Sequence, residues 1–188
     1  LAPSADFLAH SFLPLMQRMG LRASLALERH GFFPAGGGAL KIELLASTAP
    51  APLHLPERGA LRELSATALM SSVPGRVGER ELDAVRRLLG IADEHRHIRQ
   101  AVGSPGPGNA LMVRVQSEHV CDLFTAFGER GVSSERVAEL VCAEVRNYLA
   151  SGTAVGPYLA DQLLLPLALA GAGSFTTQTP SEHARSNA

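Results

Sequence analysis

Residues 156–187 read GPYLADQLLLPLALAGAGSFTTQTPSEHARSN, and the rest of the chain is organised around this run. Gly156 can cap a helix, and Pro157 suits the first helical position because its missing N–H would have had no partner there. Residues 159–170 are almost wholly apolar, which predicts a buried helix. Its polar side chains Tyr158, Asp161 and Gln162 stand at i, i+3 and i+4, so they share one face of the first two turns, where the helix dipole is positive. A polar patch at the N-terminus of a buried helix is suited to a ligand. Gly171 and Gly173 end the helix, residues 174–178 (SFTTQ) read as a short strand, and Pro180 turns the chain into Ser181, Glu182 and His183.

Taken alone, these residues leave two accounts open. An Asp–Gln pair can brace a neighbouring loop with a surface histidine beyond it, or the same groups can form a site, and periodicity does not choose between them. Three stretches, in order, bear on the choice. Residues 158–187 (YLADQLLLPLALAGAGSFTTQTPSEHARSN) closely resemble the C-terminal signature of the RNA 3′-terminal phosphate cyclases. HGFFPAGGG at residues 30–38 and GPGN at 106–109 resemble the same family at corresponding points in chain order.

The 188 residues are 46% hydrophobic and 19% charged, enough apolar material for a core and too little charge for a disordered chain. A net charge of −1 excludes bulk electrostatic binding of nucleic acid, so any RNA contact has to come from a local basic site. Cys121 and Cys142 fall in a predicted strand and a predicted helix without CxxC spacing, which reads as two reduced, buried thiols and a cytosolic protein. The apolar run 163–173 is too short for a bilayer, so no membrane partner is expected. The chain opens on Leu1 directly into an amphipathic pattern and stops soon after His183, the pattern expected of a fragment lacking both ends of a larger protein.

In chain order, residues 5–19 predict an amphipathic helix ended by Gly20. Residues 21–29 and 39–45 predict two strands of a hairpin joined by HGFFPAGGG, whose Gly36, Gly37 and Gly38 suit a tight connection more than a phosphate cradle, no Lys-Ser/Thr following them. The Pro/Ala-rich stretch 47–56 reads as a linker between domains. Beyond it, 61–71, 92–99, 109–116 and 119–127 predict strands, while 78–89 and 133–149 predict helices, the second with Ser133 as N-cap. This is an α+β organisation: 1–58 is part of a large domain, 59–150 an inserted small α+β unit, and 151–188 the return to the large domain. The resemblance implies that the large domain is built from βαβαββ repeats, related to those of EPSP synthase, and that the insert is thioredoxin-like.

Several residues in the insert have plainer readings. His95 and His97, among Glu94, Arg96 and Arg99, lack a cysteine or carboxylate at matched spacing, so they read as solvated side chains and no metal ligand is assigned. The loop GSPGPGN joins two strands, and Phe124 reads as core.

Chemistry completes the reading. A neutral imidazole can attack phosphorus and form a phosphoramidate labile enough to pass its phosphoryl group onward. The resemblance implies that His183 does so with ATP; Mg²⁺ or another divalent cation is expected to neutralise the triphosphate in that step. AMP then passes to an RNA 3′-phosphate, and the adjacent 2′-hydroxyl displaces it to leave a 2′,3′-cyclic phosphate. It also implies that Tyr158, Leu159, Ala160, Asp161 and Gln162 belong to the ATP site. Two alternatives are weighed. Non-catalytic relatives that act in ribosome assembly lack the nucleophilic histidine, whereas His183 is present here. Enolpyruvyl transferases share related repeats but need a Lys/Arg substrate pattern, and Lys41 is the only lysine.

Overall fold

The computed structural model describes residues 3–45, 49–179 and 185. The chain starts with α1 (Ala5–Phe7), a π-helical segment (Leu8–Phe12) and α2 (Leu13–Arg18), then strands β1 (Arg22–Arg29), β2 (Ala39–Leu45) and β3 (Leu53–Leu55). Next come β4 (Leu61–Ser71), α3 (Gly75–Leu89), a 3-10 turn (Asp93–His95), β5 (Arg96–Gln100), β6 (Gly108–Ser117) and β7 (Cys121–Phe127). Helices α4 (Ser134–Ser151) and α5 (Pro157–Ala170) and strand β8 (Gly173–Phe175) follow. The architecture is α+β.

The first helix is not the regular one its periodicity predicts. Leu13 N–H bonds the Leu8 carbonyl in a widened π turn, directly before Pro14, which has no N–H to offer His10 four residues back. After it, β1 and β2 form the expected antiparallel hairpin, with Leu25 opposite Ile42.

Strands β5, β4, β6 and β7 form one sheet in that order; β4 and β5 are parallel across the α3 crossover, and the other pairs are antiparallel. Side chains alternate across it. Met70, Leu111, Val113 and Phe124 face α3 and α4, where Val85, Val141 and Tyr148 close a core. Leu69, Ala110, Met112 and Leu123 face the other way, onto Phe7, Met16 and Met19 of the N-terminal helices and Leu159 and Leu163 of α5. Where both faces are covered, consecutive residues are buried, as at Ala68, Leu69 and Met70 of β4 and Ala110, Leu111, Met112 and Val113 of β6. Ser133 caps α4, accepting from Arg136 N–H at 3.2 Å.

Two expectations need correction. The stretch read as a linker contains β3, which pairs in parallel with β8, and its Leu53 and Leu55 are buried. Local composition hides this because the pairing partner comes from 120 residues later. Helix α5 is buried on one face only: Leu159, Ala160, Leu163 and Pro166 are inside, while Leu165 and Leu169 are 68% and 64% exposed. The apolar run is continuous, but only one side of the helix meets the core.

Candidate functional site

The site is built around the start of α5. Gly156 supplies the N-cap and Pro157 the first turn, as their chemistry predicts. What fixes this helix end is a buried carboxylate on β7: Asp122 Oδ2 accepts from Gly156 N–H at 2.7 Å, and Oδ1 from Leu123 N–H at 2.9 Å. Burial pushes the Asp122 carboxyl up to about 7, against the pull of the two N–H donors. A Cβ at Gly156 would lie 2.9 Å from Asp122 Oδ2 and 3.2 Å from Phe124 Cζ, so glycine permits the close approach.

The turn between α4 and α5 is tied from a second direction. Arg58 donates to the carbonyls of Tyr148 at 3.0 Å, Leu149 at 2.6 Å and Thr153 at 3.1 Å, and its guanidinium lies over the Tyr148 ring at 5.0 Å. A cation on the last carbonyls of α4 is favoured by the helix dipole. Tyr148 hydroxyl donates to the Ala154 carbonyl at 2.8 Å.

The chain leaving α5 returns to the same place. Thr176 Oγ1 accepts from Ala154 N–H at 2.9 Å and donates to the Pro56 carbonyl at 2.8 Å, Val155 N–H bonds the Thr176 carbonyl, and Val155 bridges Thr177. Residues 176–177 therefore run beside 154–155, immediately before the α5 N-terminus. Ser181, Glu182 and His183 lie outside the described residues.

Of the predicted patch, Tyr158 is 51% exposed on the first turn and its hydroxyl donates to Glu144 Oε1 of α4 at 3.2 Å. Burial raises the Tyr158 hydroxyl and the Glu144 carboxyl above their ordinary values. Glu144 Oε2 is buried with no protein partner among the described residues. Asp161 and Gln162 are half-buried one turn on. The Gln162 carbonyl sits four residues before Pro166, which has no N–H to offer it. Leu159 and Ala160 point into the core, and the Ala160 N–H bonds the Gly156 carbonyl at 3.0 Å, so of the two it is the first-turn N–H of Leu159 that can face a ligand. Arg58, Asp122, Glu144 and Thr176 escaped the sequence reading; an acid in a strand or a threonine after a helix carries no local mark of such long-range partners.

The other two family-like stretches lock together. His30 N–H bonds the Val102 carbonyl at 2.9 Å and its Nδ1 accepts from Val102 N–H at 2.8 Å. Gly36 and Gly37 have positive φ, as the tight-connection reading requires, and Phe32 packs directly against Gly108. Cys142 is buried and Cys121 half-buried; both thiols are free and are pushed up to about 11 by burial.

The family model described as RNA 3′-terminal phosphate cyclase matches residues 1–188. The chain belongs to the RNA 3′-terminal phosphate cyclase family. A protein of that name from Pseudomonas aeruginosa strain PAO1 is 54% identical over 190 residues, covering 100% of this chain and 54% of the relative. Those of Ralstonia nicotianae and Koribacter versatilis are 49% and 44% identical, each over 99% of this chain and 53% and 52% of theirs. The chain thus spans about half the length of the curated cyclase relatives it matches.

Proposed function

We propose that this chain supplies the nucleotide-activating part of an ATP-dependent RNA 3′-terminal phosphate cyclase, a ligase that converts an RNA 3′-phosphate to a 2′,3′-cyclic phosphodiester. The observation that carries the reading is identity of 54% to a cyclase across the whole chain, with His183 and the Tyr158–Gln162 patch both in the sequence.

In this reading an imidazole nitrogen of His183 attacks the α-phosphorus of ATP and pyrophosphate leaves. The RNA 3′-phosphate takes AMP from the histidine, and the neighbouring 2′-hydroxyl attacks that phosphate and expels AMP. A phosphate monoester has no good leaving group, whereas AMP in the activated linkage is one. Tyr158 offers a face for adenine; Asp161 and Gln162, with the Gln162 carbonyl, offer polar contacts to nucleotide or imidazole. Leu159 contributes its first-turn N–H, and Ala160 seats that turn against the core. The tie from Asp122 to Gly156 holds these groups in place, and strand β8 leads the chain from α5 toward His183.

A divalent cation such as Mg²⁺ would neutralise triphosphate charge. The described residues contain no group of three donor side chains able to hold one, and no step above depends on it. The partners are ATP and RNA with a 3′-phosphate. A cytoplasmic setting fits the free thiols, and no helix among the described residues is long and apolar enough to cross a membrane. Residues 59–150 are read as the inserted thioredoxin-like unit, between large-domain segments 1–58 and 151–188.

The test is conversion of a 3′-phosphorylated oligoribonucleotide, with ATP, to a product resistant to phosphatase. ATP-dependent resistance is expected; resistance that forms equally well without ATP contradicts the reading.

A further inference from the structure

A groove of about 390 Å³ runs between the N-terminal helical segment and the sheet, on the face opposite α3 and α4. That volume is in the range of small-ligand sites. Its cations are fixed in place. Arg99 Nη2 donates to Asp6 Oδ1 at 2.7 Å, while Arg114 donates to Glu63 Oε1 at 2.6 Å and to Ser65 Oγ at 3.2 Å. Each guanidinium has five N–H donors and, among the described residues, uses one or two of them, which leaves further donors on planes already held.

Imidazoles join them. His10, His95 and His97 line the same groove, and neither His10 nor His97 has a hydrogen bond or ion pair recorded among the described residues. His10 lies in the π-helical segment, and such bulges recur at functional sites. Met112 and Leu123 add apolar floor. Leu123 also places the groove: its chain neighbour Asp122 holds the start of α5, so groove and α5 site share strand β7.

We propose that this groove binds single-stranded RNA upstream of its 3′ end, with phosphodiester oxygens on Arg99 and Arg114 and a base against the imidazoles and the Met112–Leu123 floor. Fixed guanidiniums beside flat rings and an apolar floor match a nucleotide unit better than a bare anion. Asp6 and Glu63 balance the formal charge of Arg99 and Arg114 in the groove, so the phosphate contact proposed is a directed one, through guanidinium donors, and not a bulk field. That the strand is the substrate's rests on the cyclase reading; the groove chemistry does not.

The test is fluorescence anisotropy of a 5′-labelled single-stranded oligoribonucleotide bearing a 3′-phosphate, across a salt series, with inorganic phosphate as competitor. Arg99→Gln is expected to weaken binding several-fold and to lower the salt slope by about 0.7. His10→Gln with His97→Gln weakens binding without touching a salt bridge. Asp6→Asn, which frees Arg99 from its carboxylate, tightens binding about 2-fold, a direction that loss of folding cannot produce. Wild-type affinity and slope in all three variants overturns the proposal, as does displacement of the oligonucleotide by an equal concentration of inorganic phosphate. Protein adenylation by ATP alone is followed in parallel. If it stays intact while the groove variants bind RNA normally, the groove fails and the cyclase reading stands; groove-dependent RNA binding without adenylation is the reverse.

Discussion

Asp122 reaches from strand β7 to the first residue of the α5 N-terminus, 2.7 Å from Gly156 N–H, and no water-exposed group could replace it there because Asp122 is fully buried. Removing its acceptors leaves two buried N–H groups unpaired. Asp122→Ala should therefore cost about 2–4 kcal/mol, and Asp122→Asn, which keeps one carbonyl acceptor, about half as much. Urea denaturation checks both; a loss within about 0.5 kcal/mol for Asp122→Ala would remove the anchoring account.

Glu81 gives a pH dependence of definite sign. It is buried against the sheet, with Asn109 Nδ2 donating to Oε1 at 2.5 Å and Oε2 without a partner among the described residues, and burial pushes its carboxyl up to about 7. Between its ordinary 4.5 and about 7 the native state binds more protons than the unfolded chain, so stability falls as pH rises through that window. Asp122, raised by burial too, acts in the same direction. Glu81→Gln should flatten the fall and add roughly 1–3 kcal/mol at pH 8 while changing little at pH 4. Urea midpoints at the two pH values decide it; an equal gain at both would show a packing effect instead.

Local chemistry carried much of the fold. The strand read over 61–71 has those bounds, the Ser133 cap closes α4, and Gly156, Pro157 and Gly171 bound α5, because caps and periodicity are written in adjacent residues. What was not legible depends on distance in sequence. The β3–β8 pair spans 120 positions, and Asp122, Arg58 and Glu144 gain their meaning only when α4, α5 and β7 are side by side. Tyr158, Asp161 and Gln162 were visible because helix periodicity groups them; their unequal exposure was not, since the sequence does not say which side of α5 meets the core.

Gly31 tests the joint between the two Gly-rich loops. A Cβ there would run into the backbone of Gly36 and Gly38. Gly31→Ala should force the connection open and cost roughly 1–3 kcal/mol, with faster amide exchange at Val102, whose N–H bonds His30. Unchanged exchange there would mean the connection adjusts without loosening the joint.

Tyr158 separates stacking from hydrogen bonding. Tyr158→Phe keeps the ring but removes the donor to Glu144, and should change ATP affinity less than about 3-fold. Tyr158→Ala should weaken it about 10-fold or more. Titration calorimetry with ATP measures both; equal affinities for the two variants would show that the ring does not meet the base.

The central claim is that His183 carries AMP, and ATP labelled in its α-phosphate tests it most directly. After incubation and separation, the wild-type protein should retain label that is lost in acid, and His183→Asn, which keeps a polar side chain but cannot form the phosphoramidate, should retain none. Acid-labile label persisting on the His183→Asn protein, or a wild-type protein that cyclises RNA without ever carrying label, would contradict the account.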